Sequence, residues 1–273
     1  MEAKEISKKI RRIEITSNKL VDELFSGEYR SGFRGKGMEF DHIRQYTPGD
    51  DVRSIDWKVT ARYDKAFVKQ YVEEREMNLF LLIDMSRSNS FGKKMEVIAE
   101  LSATLALSAI RNNDRVGAIL FTDDVEQYIP SKHGRRHVLS IIERILSAEP
   151  MQSGTNIAKV LQYFNRREKK RSVVFLLSDF LDEGYENALK ATGSRHDLIC
   201  VRVIDRAEER IPAGAIFRFT DMETGQTFVL DNLKQDYTMP PVNSADQRNL
   251  ITIYTDEDYV LPLKHFFRRR LGL

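Results

Sequence analysis

The stretch Leu79-Phe80-Leu81-Leu82-Ile83-Asp84-Met85-Ser86-Arg87-Ser88 decides the fold, because a short apolar run ends abruptly in a carboxylate and two hydroxyls. A continuous apolar run of this length fits a β-strand that is buried on both faces, as in a parallel sheet covered by helices. Ligands of such sheets bind at the carboxyl ends of the strands. The stretch therefore predicts a buried strand followed directly by a functional polar loop.

Similar apolar runs alternate with helical patterns through the rest of the chain, which is typical of βαβ units. Strands are predicted at residues 79–83, 116–121, 173–177 and 198–204. Helices are predicted at 94–111, 136–147, 157–167, 185–192 and 259–270, and a hairpin at 216–219 and 227–230. The expected fold is α/β and doubly wound, with a mostly parallel sheet flanked by helices.

The N-terminal part has a different pattern. Apolar residues spaced alternately by four and three place one narrow stripe on a helix over residues 2–25, namely Ile6, Ile10, Ile13, Ser17, Leu20 and Leu24. The stripe can pair with a partner helix, but its short length favours docking on the chain's own body. Turn-forming residues then predict loops and short strands up to residue 75, so the expected division is 1–75 and 76–273.

The composition limits the classes of partner. Lys and Arg total 43 against 41 for Asp and Glu, so no net field favours nucleic acid. Residues 1–12 lack a secretory signal, and no segment reaches the ~20 apolar residues of a membrane span, so we expect a cytoplasmic protein without direct membrane insertion. Cys200 lies in an apolar run and is expected to be a buried thiol.

The polar loop offers hard oxygen donors from Asp84, Ser86 and Ser88, which suit Mg²⁺, Mn²⁺ or Ca²⁺. Taken alone, the same residues also fit a helix cap or a turn. Two later strand ends add Thr155, directly before a predicted helix, and Asp179, directly after a predicted strand. Three loops at one sheet edge therefore predict a divalent-metal site.

This five-residue pattern resembles the von Willebrand factor A family, whose metal-ion-dependent adhesion site uses D-x-S-x-S, a Thr and an Asp on three loops. The resemblance implies that Ser86, Ser88 and Thr155 are ligands, and that Asp84 and Asp179 bind the ion directly or through water. It also implies that an acidic side chain of a protein partner completes the coordination. Binding, rather than catalysis, is the expected role.

A second resemblance rests on a longer run before the sheet: Ser31-Gly32, Gly35-Lys36-Gly37-Met38-Glu39-Phe40, Arg44-Gln45-Tyr46, Pro48-Gly49-Asp50-Asp51, Arg53, Ile55-Asp56-Trp57 and Ala61-Arg62. It is similar to bacterial domain-of-unknown-function family fifty-eight, whose members often occur beside MoxR-type AAA+ ATPases. The resemblance implies such an ATPase as partner. Two interpretations of the run stay open, a partner surface or an ion-pair network around a buried tryptophan; they concern Asp50, Asp51, Arg53, Asp56, Trp57 and Arg62.

A hydrolase is the alternative function for this chain. An Asp at a strand end is similar to the nucleophile of haloacid-dehalogenase phosphatases, which predicts an Mg²⁺-dependent phosphohydrolase with Asp84 as nucleophile. That chemistry needs a second carboxylate two residues on as general acid/base, and Ser86 stands there. The chain also lacks G-x-x-x-x-G-K-[ST], so any ATPase activity is expected to belong to a partner.

Overall fold

A computed structural model of the chain describes residues 3–25, 38–63, 65–73, 76–90, 93–148, 154–211, 216–220, 227–231, 237–238 and 249–271. The chain divides into two compact units, one of residues 34–77 and the other of residues 1–33 with 78–273. The boundary after residue 77 is close to the predicted one, while the N-terminal helix groups with the larger unit. The predicted loop at 26–37 lies outside the described residues.

The regular elements follow one another as α1 (Ala3–Phe25), β1 (Met38–Gln45), α2 (Trp57–Thr60), β2 (Phe67–Glu73), β3 (Asn78–Asp84), α3 (Lys94–Arg111), β4 (Arg115–Phe121), β5 (Val125–Lys132), α4 (Arg135–Ser147), α5 (Ile157–Arg167), β6 (Val173–Ser178), α6 (Glu186–Arg195), β7 (Asp197–Ile204), α7 (Arg206–Glu209), β8 (Arg210–Ile211), β9 (Ile216–Thr220), β10 (Thr227–Asp231), β11 (Tyr237–Thr238), β12 (Leu250–Tyr254) and α8 (Val260–Leu271). Short 3₁₀ turns span Val52–Ser54 and Arg87–Ser90. Every element predicted from the sequence is present, with its ends within three residues of the predicted ones.

The central sheet of the larger unit has, among the described residues, six strands in the order β12-β7-β6-β3-β4-β5. All neighbouring strands are parallel except β4 and β5, which are antiparallel. The predicted doubly wound, mostly parallel α/β fold is thereby confirmed. The sequence did not predict β5 and β12, which lie at the ends of this order.

Helices cover the sheet because its strands are apolar on both faces. Phe80 and Leu82 of β3 pack with Phe164 of α5 and Leu189 of α6 in one buried cluster, which also contains Cys200. The remaining long helices, α1, α3, α4 and α8, pack against one another as a second group. The buried state predicted for the Cys200 thiol is confirmed.

The N-terminal helix docks on the chain's own body, as its apolar stripe favoured. Ile13 is 2% exposed, and the buried Ser17 hydroxyl accepts a hydrogen bond from the Thr104 hydroxyl of α3 at 3.0 Å. Glu14 forms an ion pair with Arg135 at the start of α4. The side chains of Leu20 and Leu24 lie outside the described residues. Helix α1 is therefore part of the packed larger unit.

The smaller unit is built on an antiparallel ribbon of β1 and β2. Two aspartates in the connection begin short helical turns: Asp51 accepts a hydrogen bond from the backbone N–H of Arg53, and Asp56 accepts from those of Lys58 and Val59. Such side-chain caps satisfy the free N–H groups at a helix start. The connection between the strands is thus locally ordered.

The predicted late hairpin is confirmed as the antiparallel pair of β9 and β10. Its turn, Glu223-Thr224-Gly225-Gln226, lies outside the described residues. In the part of the chain that the structure describes, no helix combines the length and the apolar character that crossing a membrane requires.

Candidate metal centre

Three neighbouring strand ends place the predicted site residues at one edge of the sheet. Asp84 is the last residue of β3, which pairs in parallel with β4 and β6. Asp179 directly follows β6, and Thr155 lies two residues before α5. The segment before α5 is joined to the end of β4, since the N–H of Asn156 donates to the carbonyl of Thr122 at 3.0 Å.

The Asp84 carboxylate lies at the centre of this edge and is fully buried. Its Oδ1 accepts a hydrogen bond from the N–H of Ser86 at 2.9 Å, and its Oδ2 accepts one from the Ser178 hydroxyl at 2.5 Å. The Thr155 hydroxyl lies 3.5 Å from Oδ1. The orientation of the carboxylate is therefore held by its own loop, by the end of β6 and by the segment before α5, and the contact with Ser178 was not predicted from the sequence.

Ser86 and Ser88 lie side by side beside this carboxylate. Their Oγ atoms are 3.0 Å apart, and Ser86 is fully buried. The buried amide of Asn89 supports the loop, because its Nδ2 donates to the Asp84 carbonyl and to the Ser86 Oγ, both at 3.3 Å. Asn89 Oδ1 has no hydrogen-bond partner among the described residues. Four predicted residues, Asp84, Ser86, Ser88 and Thr155, thus converge with their oxygens grouped.

The fifth predicted residue, Asp179, is also at this edge but is already paired. Its Oδ2 lies 3.2 Å from the Nζ of Lys94, and its Oδ1 accepts a hydrogen bond from the N–H of Leu181 at 3.2 Å. Lys94 is fully buried and also contacts Glu208 Oε2 at 2.8 Å. Neither Lys94 nor Glu208 was predicted from the sequence to lie at this edge.

The turn after β6 carries backbone strain at the site. Phe180 has φ +61°, a left-handed conformation that non-glycine residues rarely adopt. The turn is held by the N–H of Phe180, which donates to the Ser178 hydroxyl at 3.0 Å. Such strained positions persist where the surrounding contacts over-determine them, and they cluster at functional sites. Here the strained turn presents Ser178 and Asp179 together.

The electrostatics of the cluster favour a cation. Burial, and next the negative charge of Asp179, raise the pKa of Asp84 to about 6. A positive ion beside both carboxylates would offset each of these effects. The donors are hydroxyl and carboxylate oxygens, the class that Mg²⁺, Mn²⁺ and Ca²⁺ prefer. Among the described residues no group of three or more His, Cys, Asp or Glu side chains is placed to hold a metal ion.

The smaller unit carries the other residues singled out in the sequence. Arg44 binds Asp50 through two hydrogen bonds of 2.8 and 2.7 Å, and this contact keeps the pKa of the Asp50 carboxyl well below its usual range. Lys69 lies 3.5 Å from Asp56. Trp57 is 67% exposed, so the interpretation of the run as an ion-pair network around a buried tryptophan is wrong. The cations contacting these carboxylates come from β1 and β2, and Asp51, Arg53 and Arg62 are exposed.

Comparisons with known proteins identify what the chain is similar to. The family described as "Protein of unknown function DUF58" matches residues 42–245. "Uncharacterized protein Rv1480" of Mycobacterium tuberculosis is 26% identical over 280 residues, covering 96% of this chain and 88% of that protein. "Uncharacterized protein YeaD" of Bacillus subtilis is 31% identical over 107 residues, covering 39% of this chain and 25% of that protein.

Two solved structures align with 72% of the chain each. The conserved hypothetical protein BatB from Bacteroides thetaiotaomicron aligns with a TM-score of 0.47 and 14% identity, over 72% of this chain and 100% of that chain. Proximal thread matrix protein 1 from the mussel byssus, "with zinc occupied MIDAS motif", aligns with a TM-score of 0.43 and 14% identity, over 72% of this chain and 47% of that chain. The description of a bound metal applies to that mussel protein.

Proposed function

The chain belongs to the DUF58 family, and on that premise we propose that it is a non-enzymatic protein-binding module that depends on a divalent metal. The observation that carries the proposal is the grouping of oxygens from Asp84, Ser86, Ser88 and Thr155 where parallel strands end. Thr155 comes from a different loop than the other three residues, so a purely local role as a helix cap does not account for their convergence. A shared ligand does.

The residues that would hold the ion are Asp84, Ser86, Ser88 and Thr155, with Asp179 alongside. Mg²⁺ or Mn²⁺ suits this set because both ions tolerate shells that are rich in hydroxyl and water oxygens. When bound, the ion would supply a positive charge that an acidic side chain of a partner can coordinate. The protein's own part is to orient the donors and to keep the Asp84 carboxylate buried and fixed.

The partner we propose is a MoxR-type AAA+ ATPase, in a chaperone or assembly system. The support for this choice is the family resemblance of residues 31–62. The exposure of Trp57 favours the interpretation of that run as a partner surface, because exposed tryptophans are over-represented at binding hot spots. The same surface would include Asp50, Asp51, Arg53, Asp56 and Arg62.

The phosphohydrolase alternative has less support from the geometry. A nucleophilic carboxylate must reach substrate, whereas Asp84 is fully buried and both of its oxygens accept hydrogen bonds. At the position where a general acid/base is needed, the Ser86 hydroxyl contacts Ser88 and Asn89. A hydroxyl in that place does not protonate a leaving group efficiently.

The deciding experiment is capture of a purified MoxR-type ATPase from the same organism on the immobilised full chain. We expect retention in Mg²⁺, its loss in EDTA, and its loss for Ser86→Ala in Mg²⁺. Ser194→Ala, which removes an exposed hydroxyl on α6, is the matched control and should behave as wild type. Retention that is insensitive to EDTA would refute metal dependence.

The same protein preparations should be assayed for hydrolysis of an aryl phosphate in Mg²⁺. We expect no turnover above buffer. Turnover that Asp84→Asn abolishes would replace the binding module with the phosphohydrolase.

A further inference from the structure

Lys94 is a fully buried ammonium at the edge of the candidate metal centre. It is the first residue of α3, and its Nζ lies between two carboxylates, 3.2 Å from Asp179 Oδ2 and 2.8 Å from Glu208 Oε2. Buried lysines are rare unless they are paired. Because Lys94 pairs with Asp179, its fixed positive charge lies beside the place that a metal ion would occupy.

The charges around this lysine set what the site can accept. Asp84, Asp179 and Glu208 contribute three negative charges when ionised, and Lys94 contributes one positive charge. The remaining negative charge equals the positive charge of one divalent ion. Without Lys94, the cluster would attract such an ion more strongly, because charge count is a main determinant of affinity at oxygen sites.

The two carboxylates compete for the same ammonium. Glu208 makes the shorter of the two contacts, so Asp179 does not hold the ammonium alone. Glu208 belongs to α7, which follows β7, whereas Asp179 follows β6. The ammonium is thus shared between a residue of the metal centre and a residue outside it.

We propose that Lys94 lowers the affinity of this site for divalent cations and that Glu208 partly restores it by holding the ammonium away from Asp179. The inference rests on the proposed function and deepens it. A site weakened in this way retains its ion best when a partner's carboxylate adds the negative charge that Lys94 neutralises. Metal retention and capture of an acidic partner are then coupled.

The test is Mn²⁺ binding by the full chain, measured by electron paramagnetic resonance of the free ion, for wild type, Lys94→Met, Glu208→Gln and the double variant. We expect Lys94→Met to bind about tenfold more tightly and Glu208→Gln about tenfold more weakly. The double variant keeps the net charge of wild type and should bind within about threefold of it. Lys159→Met, which removes a lysine from an exposed ion pair with Asp124, is the matched control and should change the affinity less than about twofold.

A merely structural ion pair gives a different pattern, because loss of either partner then disorders Asp179 and weakens binding. Weaker binding by both single variants, with wild-type binding intact, therefore overturns this inference alone. Absence of binding by all four proteins overturns it together with the metal role. If Lys94→Met fails to fold, as judged by circular dichroism, Glu208→Gln still tests the inference: equal or tighter binding by that variant overturns it.

Discussion

Replacing Asp84 with asparagine separates the stability of the metal-free protein from its response to metal. Burial and Asp179 raise the pKa of Asp84 from its ordinary 3.8 to about 6. That difference corresponds to about 3 kcal/mol. In EDTA at pH 7, a neutral side chain of the same shape avoids the cost of burying a charged carboxylate. The free energy of unfolding of Asp84→Asn should therefore be up to about 3 kcal/mol higher than that of wild type.

The sign of the pH dependence follows from linkage. Because the pKa of Asp84 is higher in the folded than in the unfolded protein, its stabilising contribution is present below pH 4 and lost as the pH rises through 6. The stability difference between Asp84→Asn and wild type should therefore be near zero at pH 4 and should grow up to pH 7. Urea denaturation in EDTA at a series of pH values measures it. A destabilised Asp84→Asn, or a difference that does not change with pH, would refute the reasoning.

Metal should narrow the stability difference between the two proteins. At Mn²⁺ concentrations about 100-fold above its dissociation constant, the ion stabilises the native state by about 2.7 kcal/mol, or about 5–10 °C in Tm. Wild type should show this increase and Asp84→Asn should not. Equal increases in the two proteins would mean that the ion binds elsewhere.

Three further predictions concern the fold. His196 is buried with its pKa lowered to about 4, chiefly by burial, so wild type should lose about 2 kcal/mol as the pH falls from 6.5 to 4, and His196→Asn should lose less in urea denaturation. Gly117→Ala should cost about 1–3 kcal/mol, because the added Cβ would lie 2.4 Å from the ring of Phe80. Ile13→Ala should cost about 2–4 kcal/mol by thermal unfolding if α1 is packed, whereas the exposed Ile15→Ala should change stability by less than about 0.5 kcal/mol.

The central strands were predictable because each is apolar on both faces. The segment Asn78–Asp84 is buried along nearly its whole length, and its sequence shows the continuous apolar run that such burial requires. The edge strands lack this signal. Val125–Lys132 is mostly half-exposed and contains Pro130, and Leu250–Tyr254 alternates between buried and half-buried positions. Their pairing depends on the rest of the sheet rather than on their own pattern.

The candidate site was likewise predictable only in part. Parallel strands end at one edge, so polar residues directly after apolar runs must meet there, as Asp84 and Asp179 do. Lys94 carried no such signal, because a lysine at a helix start usually lies in solvent. Glu208 was missed because its approach depends on how the chain leaves β7. The sequence did contain a signal for Ser178, because this residue directly precedes Asp179 at the end of a predicted strand. That position could have placed it among the candidate site residues.

Trp57 shows the limit of reasoning from residue type. A large aromatic side chain favours burial on average, and one of the two interpretations of residues 31–62 rested on that average. The short helix Trp57–Thr60 instead begins with its cap at Asp56 and leaves the indole exposed. Local capping determines where this helix begins. Which of its side chains are buried depends on tertiary packing, which the sequence does not reveal.

The position of β3 between β4 and β6 has a consequence for the growing chain. The edge of β3 that faces β6 stays unpaired until residues 173–178 have been synthesised, and an unpaired apolar edge is prone to aggregate. Asp179 emerges directly after that strand. The strand pairing that closes this edge of β3 therefore also brings Asp179 beside Asp84, while the outer edge of β6 stays open until β7 pairs with it.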